Sequence, residues 1–163
     1  MNIISCVSSN WAIGYNNHLL YNIPNDMEFF KSKTLNKTVI MGSNTYKSLR
    51  VKPLPNRNNI VLSKSSNFKD VLVCKNIHEV HENIMDIPTD DIFIIGGESV
   101  YKSFIDDCSV AFITKVFDVP IADTFFPLNL DESSNWKLVE TSKTFECNNL
   151  RYNFNTYIKD VLF

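Results

Sequence analysis

Ile92-Phe93-Ile94-Ile95 is apolar at every position and runs straight into Gly96-Gly97 and a helix-forming stretch, Glu98 to about Ile105. A strand with one wet face alternates apolar and polar residues, so a run with no polar position has to be covered on both faces. Thr38-Val39-Ile40-Met41 repeats the pattern, ending at Gly42 before a short helix from Ser43 to Leu49. Ile3 to Val7, Asn59 to Leu62 and Val71 to Cys74 read as further strands, and residues 24 to about 34 and 77–85 as helices. Strands alternating with helices predict a mostly parallel α/β sheet. Ala111 to Val116, Lys137 to Thr141 and Tyr152 to Ile158 follow with no helix between them, which predicts an antiparallel C-terminal edge. The expected fold class is α/β, one domain over 1–163, with a central sheet of about eight strands and about four flanking helices.

Composition narrows the function. A hydrophobic content of 44% with 12% aromatics fits a folded soluble protein rather than a disordered one. The net charge is −2 with no Lys/Arg cluster, so no nucleic acid is expected as a partner. No apolar run is long enough to cross a bilayer, and Met1 to Cys6 lacks a basic leader, so no membrane and a cytoplasmic location are expected. Cys6, Cys74, Cys108 and Cys147 form no CxxC pair, and no Cys/His cluster has zinc spacing, so reduced thiols and no metal are expected. His78 and His81, three apart on a surface helix, are a poor basis for a metal site. Asparagine is abundant, 20 of 163, as AT-biased coding would give, so an Asn in place of an expected residue says little by itself. A monomer is the expected state.

Against that background one acid stands out. Asn22 is a good helix N-cap and Pro24 suits a first turn. At about 100° per residue Asp26 then lies near Ile23, Met27 and Phe30, on the stripe the helix would bury. A carboxylate there is costly unless a polar group meets it, and a pocket gripping a cationic or amide-like ligand is one such group. A half-solvated acid favoured by the helix dipole is the plainer alternative. The junctions Met41-Gly42-Ser43-Asn44-Thr45 and Ile95-Gly96-Gly97-Glu98-Ser99 put helix N-termini beyond strand ends, where ligands of open α/β sheets bind and phosphates find free N–H groups. Neither is a Rossmann or P-loop motif. Arg57, in Leu54-Pro55-Asn56-Arg57-Asn58-Asn59, is a candidate carboxylate clamp, or a solvated loop residue. Thr114 suits a strand by its branching alone, and Asp123 or Thr124 can bond backbone groups in a loop.

Together and in order, these pieces resemble dihydrofolate reductase, from Ile4 to about Phe154. Ile13-Gly14, Val39-Ile40-Met41-Gly42, Thr45-Tyr46-Lys47-Ser48 and Val100-Tyr101 complete the set. The resemblance implies a dihydrofolate reductase-like fold and hydride transfer from NADPH to pterin C6 of 7,8-dihydrofolate, with N5 protonated, in support of one-carbon metabolism and thymidylate synthesis. It implies that Asp26 holds the pterin edge and promotes protonation through water, that Thr114 supports that carboxylate, and that Arg57 clamps the glutamyl α-carboxylate. Ile4, Ser5, Cys6, Met27, Phe30, Ser48, Leu49, Leu54 and Ile95, with Tyr101, match the wall around the substrate rings. On the cofactor side, Gly42, Ser43, Asn44 and Thr45 match one half of a pyrophosphate cradle. Gly96, Gly97, Glu98, Ser99, Val100 and Tyr101 match the other, where the Gly-Gly bond is often cis. Ile13, Gly14, Asn17 and Leu19 match a mobile loop over the nicotinamide. Cys6, Leu62, Ile95 and Thr124 complete the cofactor set, and Ser63, Lys64 and Lys75 are candidates for the 2′-phosphate.

The chain departs from the family at several points. Leu20-Tyr21 stands where Pro-Trp is usual; Tyr21 keeps a donor and is counted with the catalytic residues, but it is shorter. Cys6 replaces a common alanine, which brings a thiol to the pocket. Ser43 and Ser99 replace basic residues, which weakens the grounds for NADPH over NADH. Two other functions stay open on sequence: the related reductase of riboflavin synthesis, which lacks the Pro-x-Asp helix and the Arg clamp, and a non-catalytic folate- or dinucleotide-binding module, which would have no need of Asp26.

Overall fold

The apolar runs form one sheet, and alternate residues along them face opposite helix layers. The structure is a computed structural model that describes residues 1–160; the last three positions of the expected 1–163 domain lie outside the described residues. Strands β1 (Asn2–Ser8), β4 (Thr38–Gly42), β5 (Asn58–Leu62), β6 (Leu72–Cys74), β7 (Ile92–Gly96) and β8 (Val110–Val116) are parallel neighbours. β12 (Leu150–Lys159) runs antiparallel to β8, with β10 (Trp136–Thr141) and β11 (Phe145–Cys147) antiparallel to β12. The order is β10-β12-β8-β1-β7-β4-β5-β6, with β11 also on β12. The expected mostly parallel sheet with an antiparallel edge is therefore present, flanked by α1 (Pro24–Thr34), α2 (Ser43–Ser48), α3 (Ile77–Ile84) and α4 (Glu98–Phe104).

Ile3, Ile40, Ile60, Ile94 and Ile113 pack on one face with Val80 and Ile84 of α3 and Val100 and Phe104 of α4. Their sequence neighbours Ile4, Val39, Met41, Val61 and Phe93 pack on the other, with Phe29 and Phe30 of α1 and Tyr46 of α2. Adjacent residues thus serve separate cores, which is why these strands are apolar along most of their length. A second small sheet, β3-β2-β9, joins β2 (Ala12–Tyr15), β3 (His18–Leu19) and β9 (Thr124–Phe125). It replaces the loops expected around Gly14 and Thr124. Asp123 still bonds backbone as expected, its Oδ2 accepting from the Asn16 N–H at 3.0 Å.

Two expectations for α1 are corrected. Its N-cap is Ile23, extended at φ −110°, ψ 111°, with no side-chain cap bond. Pro24 at the first helical position forces the residue before it out of the helical region, so Ile23 ends the extended segment and Asn22 is left outside. The inward stripe is also turned: Ile23 is buried, Asp26 and Phe30 half-buried and Thr34 fully buried, while Met27 is 49% exposed. The spacing 23, 26, 30, 34 follows one helix face.

Among the described residues, six of the seven non-glycine positions with positive φ are asparagines: Asn16, Asn17, Asn36, Asn56, Asn148 and Asn149. Asn148-Asn149, at φ 49° and 65°, joins β11 to β12 as a two-residue hairpin turn. Asn36, at φ 62°, ends α1.

Lys115 of β8 pairs with Asp131, whose other oxygen accepts from the Tyr157 hydroxyl at 2.6 Å, and the Lys115 ammonium lies 4.8 Å from the Trp11 ring centre. Burial alone would raise the Asp131 carboxyl, but the bonds from Lys115 and Tyr157 outweigh it and hold it below its usual value. Its stabilisation is therefore complete above the ordinary carboxylate range and is lost as pH falls through the native value. Asp131→Asn should cost about 1 kcal/mol near neutral pH, discounted because the carboxylate is partly solvated, and the deficit should close in acid. Thermal unfolding of both proteins across pH checks this.

Candidate active site

Asp26 sits in the first turn of α1, and Thr114, 1% exposed on β8, donates its hydroxyl to Asp26 Oδ1 at 2.6 Å. The residues are 88 positions apart, and the parallel sheet brings them together. Cys6 of β1 lies beside Thr114 in the register. Burial raises the Asp26 carboxyl above its usual value, and the bond from the Thr114 hydroxyl offsets only part of that rise. Sequence leaves open whether burial or the helix N-terminus dominates; burial does. A carboxyl so placed holds its proton more tightly than a solvated one and can pass it to a bound base.

Phe30, Leu49, Leu54 and Ile95 are only partly buried, packed on the core that contains Ile4. They form an apolar wall on the sheet face that carries α1. Arg57 closes one side. Its Nε donates to the Pro55 carbonyl at 2.8 Å and Nη1 to Thr34 Oγ1 at 3.2 Å, and it has no carboxylate partner among the described residues. The guanidinium is thus aimed by neutral acceptors that leave its charge for a ligand anion. Thr34 donates in turn to the Phe30 carbonyl at 2.8 Å. Asn59 pins the loop: its Nδ2 donates to the carbonyls of Leu54 (2.9 Å) and Arg57 (3.0 Å), and its Oδ1 accepts from the Leu54 N–H at 2.9 Å. Neither Thr34 nor Asn59 was identified as functional from sequence. The signal for Thr34 is its place as the last residue of the α1 stripe; that for Asn59 is an amide at a buried position of a strand.

The two glycine junctions are adjacent because β4 and β7 are paired, Met41 opposite Gly96. A Cβ on Gly42 would lie 3.2 Å from Val100, and one on Gly97 would lie 3.6 Å from Thr45 Oγ1. Neither α2 nor α4 has a side-chain cap, so Ser43, Asn44 and Thr45 and, opposite them, Glu98 and Ser99 begin helices whose first N–H groups no capping side chain takes up. The Gly96–Gly97 peptide is cis and Gly96 has φ +126°, facing the Tyr101 ring. The Tyr101 hydroxyl donates to the Ile4 carbonyl at 2.7 Å, which ties this junction to β1. Leu62, Ser63 and Lys64 stand at the carboxyl end of β5 and Lys75 just beyond β6, where Ser63 N–H bonds the Cys74 carbonyl at 2.9 Å. Ile13, Gly14, Asn17 and Leu19 lie on the β2–β3 hairpin, where a Cβ on Gly14 would meet Thr124 Oγ1 at 2.6 Å.

Some expected residues are engaged elsewhere. The Tyr21 hydroxyl donates to Asp118 Oδ2 at 2.8 Å, just beyond β8, and burial and that carboxylate raise the phenol. Ser48 is exposed and bonds the Thr45 carbonyl at 2.7 Å within its own helix. Met27 points largely to solvent.

The dihydrofolate reductase family profile matches residues 1–159. A dihydrofolate reductase of Buchnera aphidicola subsp. Schizaphis graminum is 34% identical over 156 residues, covering 94% of each chain. That of Bacillus subtilis is 34% identical over 165 residues, covering 98% of this chain and 94% of its own. Among solved structures, the Enterococcus faecalis dihydrofolate reductase complexed with NADP(H) superposes with a TM-score of 0.83 at 28% identity, over 98% of this chain and 96% of that one.

Proposed function

The chain belongs to the dihydrofolate reductase family, and from that membership we propose that it reduces 7,8-dihydrofolate to 5,6,7,8-tetrahydrofolate with NADPH. The observation that carries this is the half-buried Asp26 carboxyl, hydrogen-bonded by Thr114 beside an apolar wall. NADPH supplies, when bound, the hydride that goes to pterin C6. Asp26 binds the pterin amide and amino edge, and its raised proton affinity keeps a proton available for N5, relayed through water. Thr114 holds the carboxyl in place, Phe30, Leu54 and Ile95 exclude water from the rings, and Arg57 takes the glutamyl α-carboxylate in a charge-assisted pair. The paired glycine junctions fit a pyrophosphate: the backbone comes close at Gly96-Gly97, and two helix N-termini converge there. Ser63, Lys64 and Lys75 are the groups available to the 2′-phosphate that separates NADPH from NADH.

The direct experiment adds dihydrofolate to purified protein with NADPH, and NADH in parallel, and follows near-ultraviolet absorbance. Rapid NADPH oxidation supports the reductase. Both ligands bound with no oxidation would mean a silent binding module and direct attention to Tyr21, whose hydroxyl is bonded to Asp118.

Thr34→Val gives a finer test of the clamp. It removes the acceptor that aims Arg57 but leaves the charge. Dihydrofolate KM should rise about three- to tenfold, the worth of one modest hydrogen bond, with NADPH affinity unchanged. Steady-state kinetics with each ligand varied in turn decides it.

A further inference from the structure

The approach to α1 carries no regular secondary structure. Residues 20–23 belong to neither helix nor strand, and within the described residues only Tyr21 among them makes a side-chain hydrogen bond. Its hydroxyl donates to Asp118 Oδ2 at 2.8 Å, and both residues are half-buried. Asp118 is itself fixed: its N–H bonds the Val116 carbonyl at 2.9 Å, and its carbonyl accepts from the Ser9 N–H at 3.0 Å. No cation pairs with its carboxylate among the described residues. From Asp118 the contacts step back along the β8 segment by twos. Ile23, 2% exposed, packs in one cluster with Val116 and with Tyr152, the residue in register beside Val116 on β12. Asp26 takes its bond from Thr114. Asn25 Nδ2 adds a bond to the Tyr152 hydroxyl at 3.0 Å. Tyr21, Ile23 and Asp26 thus rest on Asp118, Val116 and Thr114 in turn, and the Tyr21–Asp118 bond is the outermost rung.

We propose that Asp118 is a positioning residue for Asp26: by gripping the Tyr21 hydroxyl it anchors the lead into α1 and so holds the first turn of that helix, with its carboxyl, against Thr114. A carboxylate suits the task, since a hydrogen bond to a charged acceptor is stronger than one between neutral groups. The coupling is short and stiff. Pro24 keeps Ile23 extended, and the Ile23 carbonyl accepts the first helical bond, from the Met27 N–H at 3.0 Å. A displacement at Tyr21 therefore passes into the first turn of α1 instead of being absorbed on the way. Tyr21 serves as a tether, its hydroxyl committed to Asp118 and not to substrate. The catalytic consequence rests on the reductase function proposed above; the anchor itself does not.

Amide hydrogen exchange at Met27 tests the anchor without any ligand. Asp118→Ala and Tyr21→Phe should each speed it about three- to tenfold, the worth of one hydrogen bond, with the amides of β8 unchanged. Asp118→Asn, whose amide oxygen can still accept from Tyr21, should stay close to the parent. In dihydrofolate turnover, kcat should fall by a similar factor in Asp118→Ala and in Tyr21→Phe, and the NADPH KM should not move. The double variant should be no worse than the poorer single one. In an Asp26→Asn background Asp118→Ala should leave kcat where it is, because Asp118 acts through Asp26. A merely structural contact would lower the melting temperature and leave Met27 exchange and kcat at parental values, which overturns the proposal. So does a kcat loss repeated in full in the Asp26→Asn background. A Tyr21→Phe loss that adds to that of Asp118→Ala overturns it as well, since that would put the phenol at the substrate. A protein that binds both ligands without turnover, yet exchanges faster at Met27 in Asp118→Ala, would overturn the reductase and leave the anchor standing.

Discussion

Asp26→Asn should lower NADPH-dependent turnover of dihydrofolate by about 10²- to 10⁴-fold, the usual worth of a general-acid contribution. The loss should be greatest at neutral and alkaline pH. In acid, free protons reach N5 without help and the gap narrows. The substitution is close to isosteric, and the Asn carbonyl can still accept from Thr114, so substrate should still bind. The same variant makes a second and opposite prediction for stability. Burial raises the native Asp26 carboxyl above its unfolded value, so the native state holds the proton longer as pH rises. The parent therefore loses stability between the ordinary carboxylate range and the raised native value, and stays at that deficit above it. Asn cannot ionise and escapes that loss. Asp26→Asn should melt above the parent at about pH 7, and the two should converge at about pH 3, below both values. A less active, more heat-stable variant would identify an acid kept for its chemistry; equal turnover across pH would remove Asp26 from the mechanism.

Arg57→Leu should weaken dihydrofolate binding by about thirtyfold or more. Truncating one partner of a hydrogen-bonded charge pair typically costs about 2–5 kcal/mol, because the other charge is left desolvated and unpaired. Arg57 has no carboxylate partner among the described residues, so folding stability should change little by comparison. NADPH affinity should be nearly unchanged, since the glycine junctions that would hold it are on α2 and α4. Titrations of each ligand against both proteins give the comparison. An equal loss for NADPH would show that Arg57 supports the whole cleft rather than one carboxylate.

The central sheet was legible because each of its parallel strands needs cover on both faces, and Ile92 to Ile95 or Thr38 to Met41 leaves no other use for its residues. The glycine junctions were legible for the same reason, since a helix must start where such a strand stops. The small sheet was not. His18–Leu19 and Thr124–Phe125 are two residues each, and they are strands only because Ala12–Tyr15 lies between them. The start of α1 was misjudged because a capping preference at Asn22 competes with the restriction Pro24 places on Ile23, and the restriction is steric. The Asp26–Thr114 pair could be expected only through family resemblance, since 88 positions separate the two and no local pattern joins them. Tyr21 on Asp118, 97 positions away, lay beyond reach altogether. Thr34 was within reach: the face that carries Ile23, Asp26 and Phe30 ends on it.

The left-handed asparagines bear on how far drifting base composition can rewrite such a protein. Glycine codons are GC-rich and asparagine codons AT-rich, and this chain has 4 of one residue and 20 of the other. At Asn16, Asn17, Asn36, Asn56, Asn148 and Asn149 the turn asks only for handedness, which asparagine supplies at small cost. Gly14, Gly42 and Gly96 ask for something else: a Cβ would stand 2.6 Å from Thr124 Oγ1 or 3.2 Å from Val100, or would have to sit at φ +126°. Mutational pressure can thus remove glycine from turns while the fold resists it at close approaches. In an AT-rich lineage, the few glycines left map where the chain is crowded, and its turns are written in asparagine.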